Sequence, residues 1–303
     1  MRIFEVLRAI FVVALIGCGL AFNACTDKKS EVTGVSFRIV QDDLGRSVKL
    51  PGKVQRAISL APSLTEAIFA VGAGDRLVGV TAYCNYPEGT NVIEKVGDTQ
   101  TPNIERIITL KPDVVFVSTA SQLEAFMQTL EQQNISVYVT DPADLDGMMR
   151  NLRTLGSIFG TEKTAEDLVA KLDSRAKAAD ESVKNKPKPR VFVQISNEPL
   201  FTIGQESFLT EIVNRAGGES VTKDVAAAYP KLSKETALAM NPDVIILSDS
   251  EDNRGPNDVF KNSPAVKNGR VYRVNADILS RPGPRLVDAL EQISVYLHRN
   301  ADK

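Results

Sequence analysis

The chain has 303 residues, more than one compact core usually holds, and its length points to two lobes. Apolar residues make up 43% and charged residues 24%, and the formal net charge is −2, which excludes a disordered chain, a collagen, a coiled coil and a bulk electrostatic field for nucleic acid. The single histidine, His298, leaves a Ser-His-Asp catalyst only one base near the C-terminus and rules out a multi-histidine zinc site; Cys18, Cys25 and Cys84 have neither metal-ligand spacing nor a disulfide framework.

The first segment reads as an address. Arg2 and Arg8 bracket a basic start, Ala9–Gly17 runs apolar, and the apolar character resumes over Gly19–Phe22. The stretch is short for a spanning helix and suits an export signal. Residues 1–25 are expected to be that signal, 26–36 a polar tether, and the folded body to begin near residue 37. An uncleaved membrane anchor is the alternative.

A hairpin is expected first, Phe37–Val40 and Ser47–Leu50 around a turn at Asp43-Leu44-Gly45. Short β-branched runs then alternate with helical spacing. Strands are expected at Ala57–Leu60, Leu77–Val80, Val114–Val117 and Ser136–Thr140, then at Val191–Ile195, Val244–Leu247 and Val271–Val274, with a further one at Ser220–Thr222. Such runs fit strands buried on both faces of a parallel sheet. Gly72 and Gly217 read as helix C-caps.

The chain repeats itself. Ile104–Val117 and Lys234–Leu247 each place a glutamate, Glu105 or Glu235, seven residues before a Pro-Asp that opens a strand. Leu64-Thr65-Glu66 is echoed by Leu209-Thr210-Glu211, with a glycine cap at the same spacing. Two echoes in the same order argue for a duplicated α/β unit. Between the halves, Ala165, Leu168, Val169, Leu172, Ala176, Ala179 and Val183 recur at helical spacing, with Thr161 or Thr164 to cap and Pro187 and Pro189 to stop. A helix over 161–184 would be roughly 35 Å long, enough to cross from one lobe to the other. The expected fold is therefore α/β: two similar Rossmann-like lobes, 37–160 and 187–303, joined by one long rigid helix within 161–186, with a ligand cleft between them.

The runs Asp42–Arg46, Arg56–Glu66 and Gly79–Pro87 carry a resemblance. They resemble substrate-binding proteins of ABC importers, in the subgroup with a helical backbone (class III periplasmic binding proteins) that serves vitamin B12, iron-siderophore complexes and haem, and the nearest likeness is to its cobalamin binders. It covers roughly residues 38–298. It implies no catalysis and no resident cofactor, a corrinoid as transported cargo, a permease and ATPase as partners, no nucleic acid, and a monomer outside the cytoplasm in the periplasm. A cysteine closing the export signal also resembles a lipoprotein signal. Cys18, in Leu15-Ile16-Gly17-Cys18, has the better box; Cys25 leads directly into the polar tether and is preferred for the lipid that anchors the chain to the membrane.

Ligands of open α/β sheets sit beyond the carboxyl ends of strands, which puts Ala61–Ser63, Thr81–Pro87, Ser118–Ala120, Asn197–Phe201, Tyr229 and Asp277–Arg285 around the cleft. The resemblance makes Tyr83, Phe201 and Tyr229 flat covers for a corrin ring, and Asp277 and Arg281 partners for its amide-bearing rim. For any one aromatic the plain alternative is core packing, and for Asp277 with Arg281 a loop ion pair. The family likeness departs where tryptophan would be expected: there is none, Tyr229 replaces one, and Thr99 stands at another aromatic position. One arginine of Arg281–Arg285 is expected to be structural. Cys84 is expected to be a small buried residue. Glu105 and Glu235 fall in the first turn of a helix, where the macrodipole favours a carboxylate in any case; the resemblance makes them the acids that dock two symmetry-related permease subunits. Haem or a ferric siderophore is the alternative cargo. A cleft enzyme has less support, since no G-x-x-x-x-G-K-[ST] loop exists and Gly72-Ala73-Gly74 follows a helix, not a strand.

Overall fold

A computed structural model describes residues 36–119 and 124–299. Both candidate lipidation cysteines, Cys18 and Cys25, and the whole expected signal and tether apart from Ser36 lie outside these residues.

The hairpin forms as β1 (Phe37–Gln41) and β2 (Ser47–Pro51), paired antiparallel. Asp42 shapes its turn. That carboxylate, 5% exposed, accepts from the N–H of Leu44 and Arg46 and from the Arg46 Nε at 2.8–3.1 Å, and Gly45 takes the left-handed φ of 74° that the turn requires.

The first half then runs β3 (Ala57–Ser59), α1 (Pro62–Ala70), β4 (Leu77–Val80), α2 (Ile104–Thr109), β5 (Val114–Ser118), α3 (Glu124–Gln132), β6 (Ser136–Thr140) and α4 (Leu145–Phe159). Its parallel sheet has the order β4-β3-β5-β6. The connecting helix α5 is Glu162–Val183. The second half follows as β7 (Arg190–Ser196), β8 (Phe201–Thr202), α6 (Phe208–Arg215), β9 (Glu219–Ser220), α7 (Lys234–Met240), β10 (Val244–Asp249), α8 (Pro264–Lys267), β11 (Val271–Asn275), α9 (Ala276–Ser280) and α10 (Leu286–His298). Its order, β11-β10-β7-β8 with β9 parallel to β7, is the first sheet again once β9, β7, β10 and β11 are matched to β4, β3, β5 and β6. The duplication legible in the two echoes is therefore a duplication of topology. Within the two larger sheets, among the described residues, only β8 has no counterpart: it is a two-residue strand antiparallel to β7.

The central strands are buried on both faces. Val114–Val117 of β5 and Val244–Ser248 of β10 are all buried, so neither can present polar side chains and function is confined to the strand ends. One apolar core runs without a break from Leu64 and Leu77 through Leu152, Val169, Leu172 and Ala176 to Val193, Leu290 and Leu297. The lobes thus share a core through the helices that join them. The buried face of α5 is Ala165, Val169, Leu172, Ala176, Ala179 and Val183, with Leu168 half-buried beside it. Gly156 lets α4 approach α5 closely, because a Cβ there would stand 2.4 Å from that of Ala165. Arg175 ties α5 to Asp288 and Glu291 of α10 at 2.6 Å each, and Arg215 of α6 reaches Asp180 of α5 at 2.8 Å. A shared core and these ties leave little freedom for hinge closure.

One local expectation fails. Thr161 occupies the N-cap position of α5, yet its side chain makes no capping bond. Its backbone N–H instead bonds to Gly156 O at 2.8 Å, closing α4 through left-handed Gly160, so the residue serves the end of one helix rather than the start of the next.

Candidate functional site

A cleft of about 950 Å³ opens where the carboxyl ends of the two sheets face each other. The first half contributes Ala61–Ser63 after β3, Tyr83 after β4, Thr99 and Gln100 before α2, Ser118 and Thr119 at the end of β5, and Asp141–Ala143 after β6. The second contributes Ile195 of β7, Glu206–Phe208 at the start of α6, Ala228 and Tyr229, and Asp277 with Ser280–Pro282 at and after α9. Four of the five residues expected to meet a ligand, Tyr83, Tyr229, Asp277 and Arg281, are brought together there.

Phe201 is not among the residues that border the cleft. It lies half-buried in β8, paired across to Ser196 and Lys231. The chain leaving β7 turns over 197–200 and doubles back as an antiparallel strand, so Phe201 is held in sheet pairing beside the last residue of β7. Beside Tyr229, the aromatic that borders the cleft in this half is Phe208. Its position was readable from the repeat: the offset of 145 between Glu66 and Glu211 maps Ala61–Ser63 onto Glu206–Phe208. Asp141–Ala143 were also missed, although they follow β6 as directly as Thr119 follows β5.

The two tyrosines offer open rings. Tyr83 is 58% exposed and Tyr229 is 40% exposed. Burial pushes the pKa of Tyr229 up, with the Ser207 hydroxyl partly offsetting the shift.

Arg281 is held from three sides. Its Nη1 donates to Glu66 Oε1 at 2.8 Å and to Asn85 Oδ1 at 2.9 Å, and its Nη2 to Asp277 Oδ1 at 2.7 Å. Asn85 Nδ2 in turn donates to Asp277 Oδ2 at 3.0 Å. Arg285 donates to both oxygens of Glu66, at 2.8 and 2.6 Å, and its guanidinium lies 4.1 Å over the ring of Tyr86. The guanidinium of Arg285 is raised in pKa, first by its bond to Glu66. Arg285 is thus the structural arginine of the pair, and Asp277 with Arg281 do form an ion pair while both still border the cleft.

The cluster balances: Arg281 and Arg285 against Glu66 and Asp277. Asp141 and Glu206 remain, bordering the cleft without a cation within ion-pair distance among the described residues. The amino ends of α1 and α6 face the same space and supply roughly half a positive charge each. Asp141 and Glu206 are thus the acids of the wall that no arginine matches among the described residues. Asp141 also accepts a hydrogen bond from the Thr119 hydroxyl.

Cys84 is 1% exposed, with its Sγ 3.1 Å from Thr65 Oγ1 and 3.2 Å from Thr81 Oγ1, and is the buried thiol expected. His298, 5% exposed in α10, approaches Ala216 O and does not border the cleft. Among the described residues no group of three or more histidine, cysteine, aspartate or glutamate side chains is placed to hold a metal.

Glu105 and Glu235 occupy the same position of α2 and α7, two residues past the side-chain N-caps Asn103 and Ser233, whose oxygens accept from the Arg106 and Thr236 N–H. Both are exposed, and among the described residues neither forms an ion pair. Each follows a cleft-bordering loop by five or six residues, Gln100 in one half and Tyr229 in the other. Backbone N–H bonding at the start of α7, then the Ser233 hydroxyl, hold the Glu235 carboxyl below its usual pKa.

Twin parallel sheets, one connecting helix and a cleft between the halves define a binding protein of the class with a helical backbone. Residues 58–278 match the family described as Periplasmic binding protein, and the chain belongs to it. It is a substrate-binding protein of the kind that serves ABC importers, not an enzyme. It is similar to the uncharacterized ABC transporter substrate-binding lipoprotein YvrC of Bacillus subtilis, with 29% identity over 96% of this chain and 95% of that one. To the vitamin B12-binding protein of Vibrio cholerae it is 35% identical over 82% of this chain and 90% of that one. The crystal structure of that organism's periplasmic vitamin B12 binding protein BtuF superposes with a TM-score of 0.75 at 31% identity, covering 84% of this chain and all of the other. The periplasmic heme-binding protein RhuT of Roseiflexus sp. RS-1, at 24% identity, 81% and 98% coverage and a TM-score of 0.73, shares the fold.

Proposed function

We propose that this protein captures cobalamin or a related corrinoid in the interlobe cleft and hands it to the permease and ATPase of an ABC importer. The observation that carries this reading is the charge of the cleft. Arg281, the arginine on its wall, is already matched by Glu66 and Asp277, while Asp141 and Glu206 are acids that no arginine matches among the described residues. A corrin rim bears amides that donate to carboxylates, so these acids complement it. The propionates of haem and the anionic groups of many ferric siderophores would meet repulsion instead. Haem would also want an axial ligand. His298 is not at the cleft, and the phenol of Tyr229 is pushed away from the phenolate that ferric iron prefers. Tyr83 and Tyr229 are the rings offered to the macrocycle; such contacts contribute roughly 0.5–1.5 kcal/mol each beyond area burial. The likeness to the vitamin B12-binding protein of Vibrio cholerae supports the same cargo.

Glu105 and Glu235 are assigned to permease docking, one per lobe against two symmetry-related subunits. The chain is assigned to the outer side of the cytoplasmic membrane, in the periplasm, tethered by a lipid on Cys25 or Cys18. Likeness to the lipoprotein YvrC supports that anchor.

The test is titration of the purified body with cyanocobalamin, haemin and a ferric hydroxamate, followed by visible absorbance and calorimetry. Saturable binding of cyanocobalamin at one site is expected. Binding of haemin or the hydroxamate with cyanocobalamin ignored would overturn the reading.

A further inference from the structure

Glu66 is a secluded carboxylate beside the cleft: its side chain is 2% exposed, and it stands behind the wall rather than in it. A lone carboxylate so placed would be strongly disfavoured, and the two guanidiniums around it account for its charge. What Glu66 does to Arg281 has a consequence for the ligand. An arginine binds an anion through the paired N–H groups of its planar fork. In Arg281 both terminal nitrogens are taken, Nη1 by Glu66 and Asn85 and Nη2 by Asp277. The fork that would grip a ligand carboxylate is filled by the protein's own.

We propose that Glu66 is a positioning residue that sets the charge selectivity of the cleft, by orienting and neutralising Arg281 so that this guanidinium cannot serve as a receptor for anionic macrocycles. The proposal deepens the corrinoid reading and rests on it. Glu66 lies on α1 of the first half and Arg281 beyond α9 of the second. The same contact therefore fixes how the two walls meet, and selectivity and lobe spacing are set together.

The test uses Glu66→Gln, which keeps the shape and removes the charge. Binding of haemin is compared with binding of haem dimethyl ester, the same ring without free carboxylates. Glu66→Gln is expected to bind haemin at least about tenfold more tightly than the unaltered protein while the ester is unchanged. Unchanged haemin affinity, or an equal gain for the ester, would overturn the proposal, since the latter reports a change of shape. Should Glu66→Gln fail to fold, Asp277→Asn removes the second carboxylate from the same guanidinium at a more exposed position; it must shift haemin over ester in the same direction, and no shift refutes the idea. If the unaltered protein ignores cyanocobalamin, the corrinoid reading falls alone, because the haemin-to-ester comparison still judges Glu66.

Discussion

Glu66 and Glu211 hold the same place in the repeated Leu-Thr-Glu, and each reaches out of its own half: Glu66 to Arg281 and Arg285 of the second, Glu211 to the backbone N–H of Leu145, at 2.9 Å, in the first. The repeat that makes the two lobes alike also places their crosswise contacts. The partners differ, since one carboxylate binds guanidiniums and the other caps helix α4.

Removing the cap should loosen α4 without touching the cleft. Glu211→Ala is expected to cost about 1 kcal/mol, the usual scale for losing a capping acceptor, read as a lower urea midpoint with an unchanged slope. The Arg215 side chain keeps Asp180 as partner, so a much larger loss would show that Glu211 does more than cap.

Cys84 should be silent to thiol reagents. Its sulfur is packed between two threonine hydroxyls and buried, so a thiol-specific dye is expected to react only after denaturant is added. Rapid labelling of the native protein would show that the loop carrying Tyr83 opens.

Two phenols should ionise above the ordinary tyrosine range, Tyr138 and Tyr229, each raised first by burial. A raised folded-state value means the proton is held more tightly in the folded protein. The associated stability is intact below the unfolded value near 10 and declines as pH climbs through the folded one. Tyr229→Phe should delete one late component from an alkaline ultraviolet titration, and should weaken cyanocobalamin binding less than Tyr229→Ala, because the ring face makes the contact.

Double charge reversal, Glu105→Lys with Glu235→Lys, is expected to abolish ligand-stimulated ATP hydrolysis by the reconstituted transporter and to leave cyanocobalamin binding unaltered. Loss of binding in the folded variant would refute the docking assignment. The lowered pKa of Glu235 has the opposite sign to that of Tyr229. Its carboxylate contribution is full above the unfolded value near 4.3 and is lost only as pH falls through the lower folded one. A carboxyl-carbon NMR titration should place its midpoint below the usual glutamate range.

What the sequence determined alone is periodic and local. The β-branched runs, the spacing of Ala165 to Val183 and the two echoes placed the principal strands, the connecting helix and the duplication, because each depends on neighbours a few residues apart or on chain copies of equal length. The carboxyl-end rule then located most of the cleft, including Tyr83, Tyr229, Asp277 and Arg281.

The tertiary structure decided what depends on partners far apart in the chain. Phe201 pairs in β8 and does not border the cleft, an antiparallel return too short to leave a periodic signal, whereas Phe208 does border it. Glu66 looked like one more polar position on a helix until packing set it against Arg281 and Arg285, more than two hundred residues away. Charge is read from composition, but whether an arginine is free to bind an anion or already spent on a buried glutamate is a matter of distance, and distances between lobes are settled only when both have folded onto their shared core.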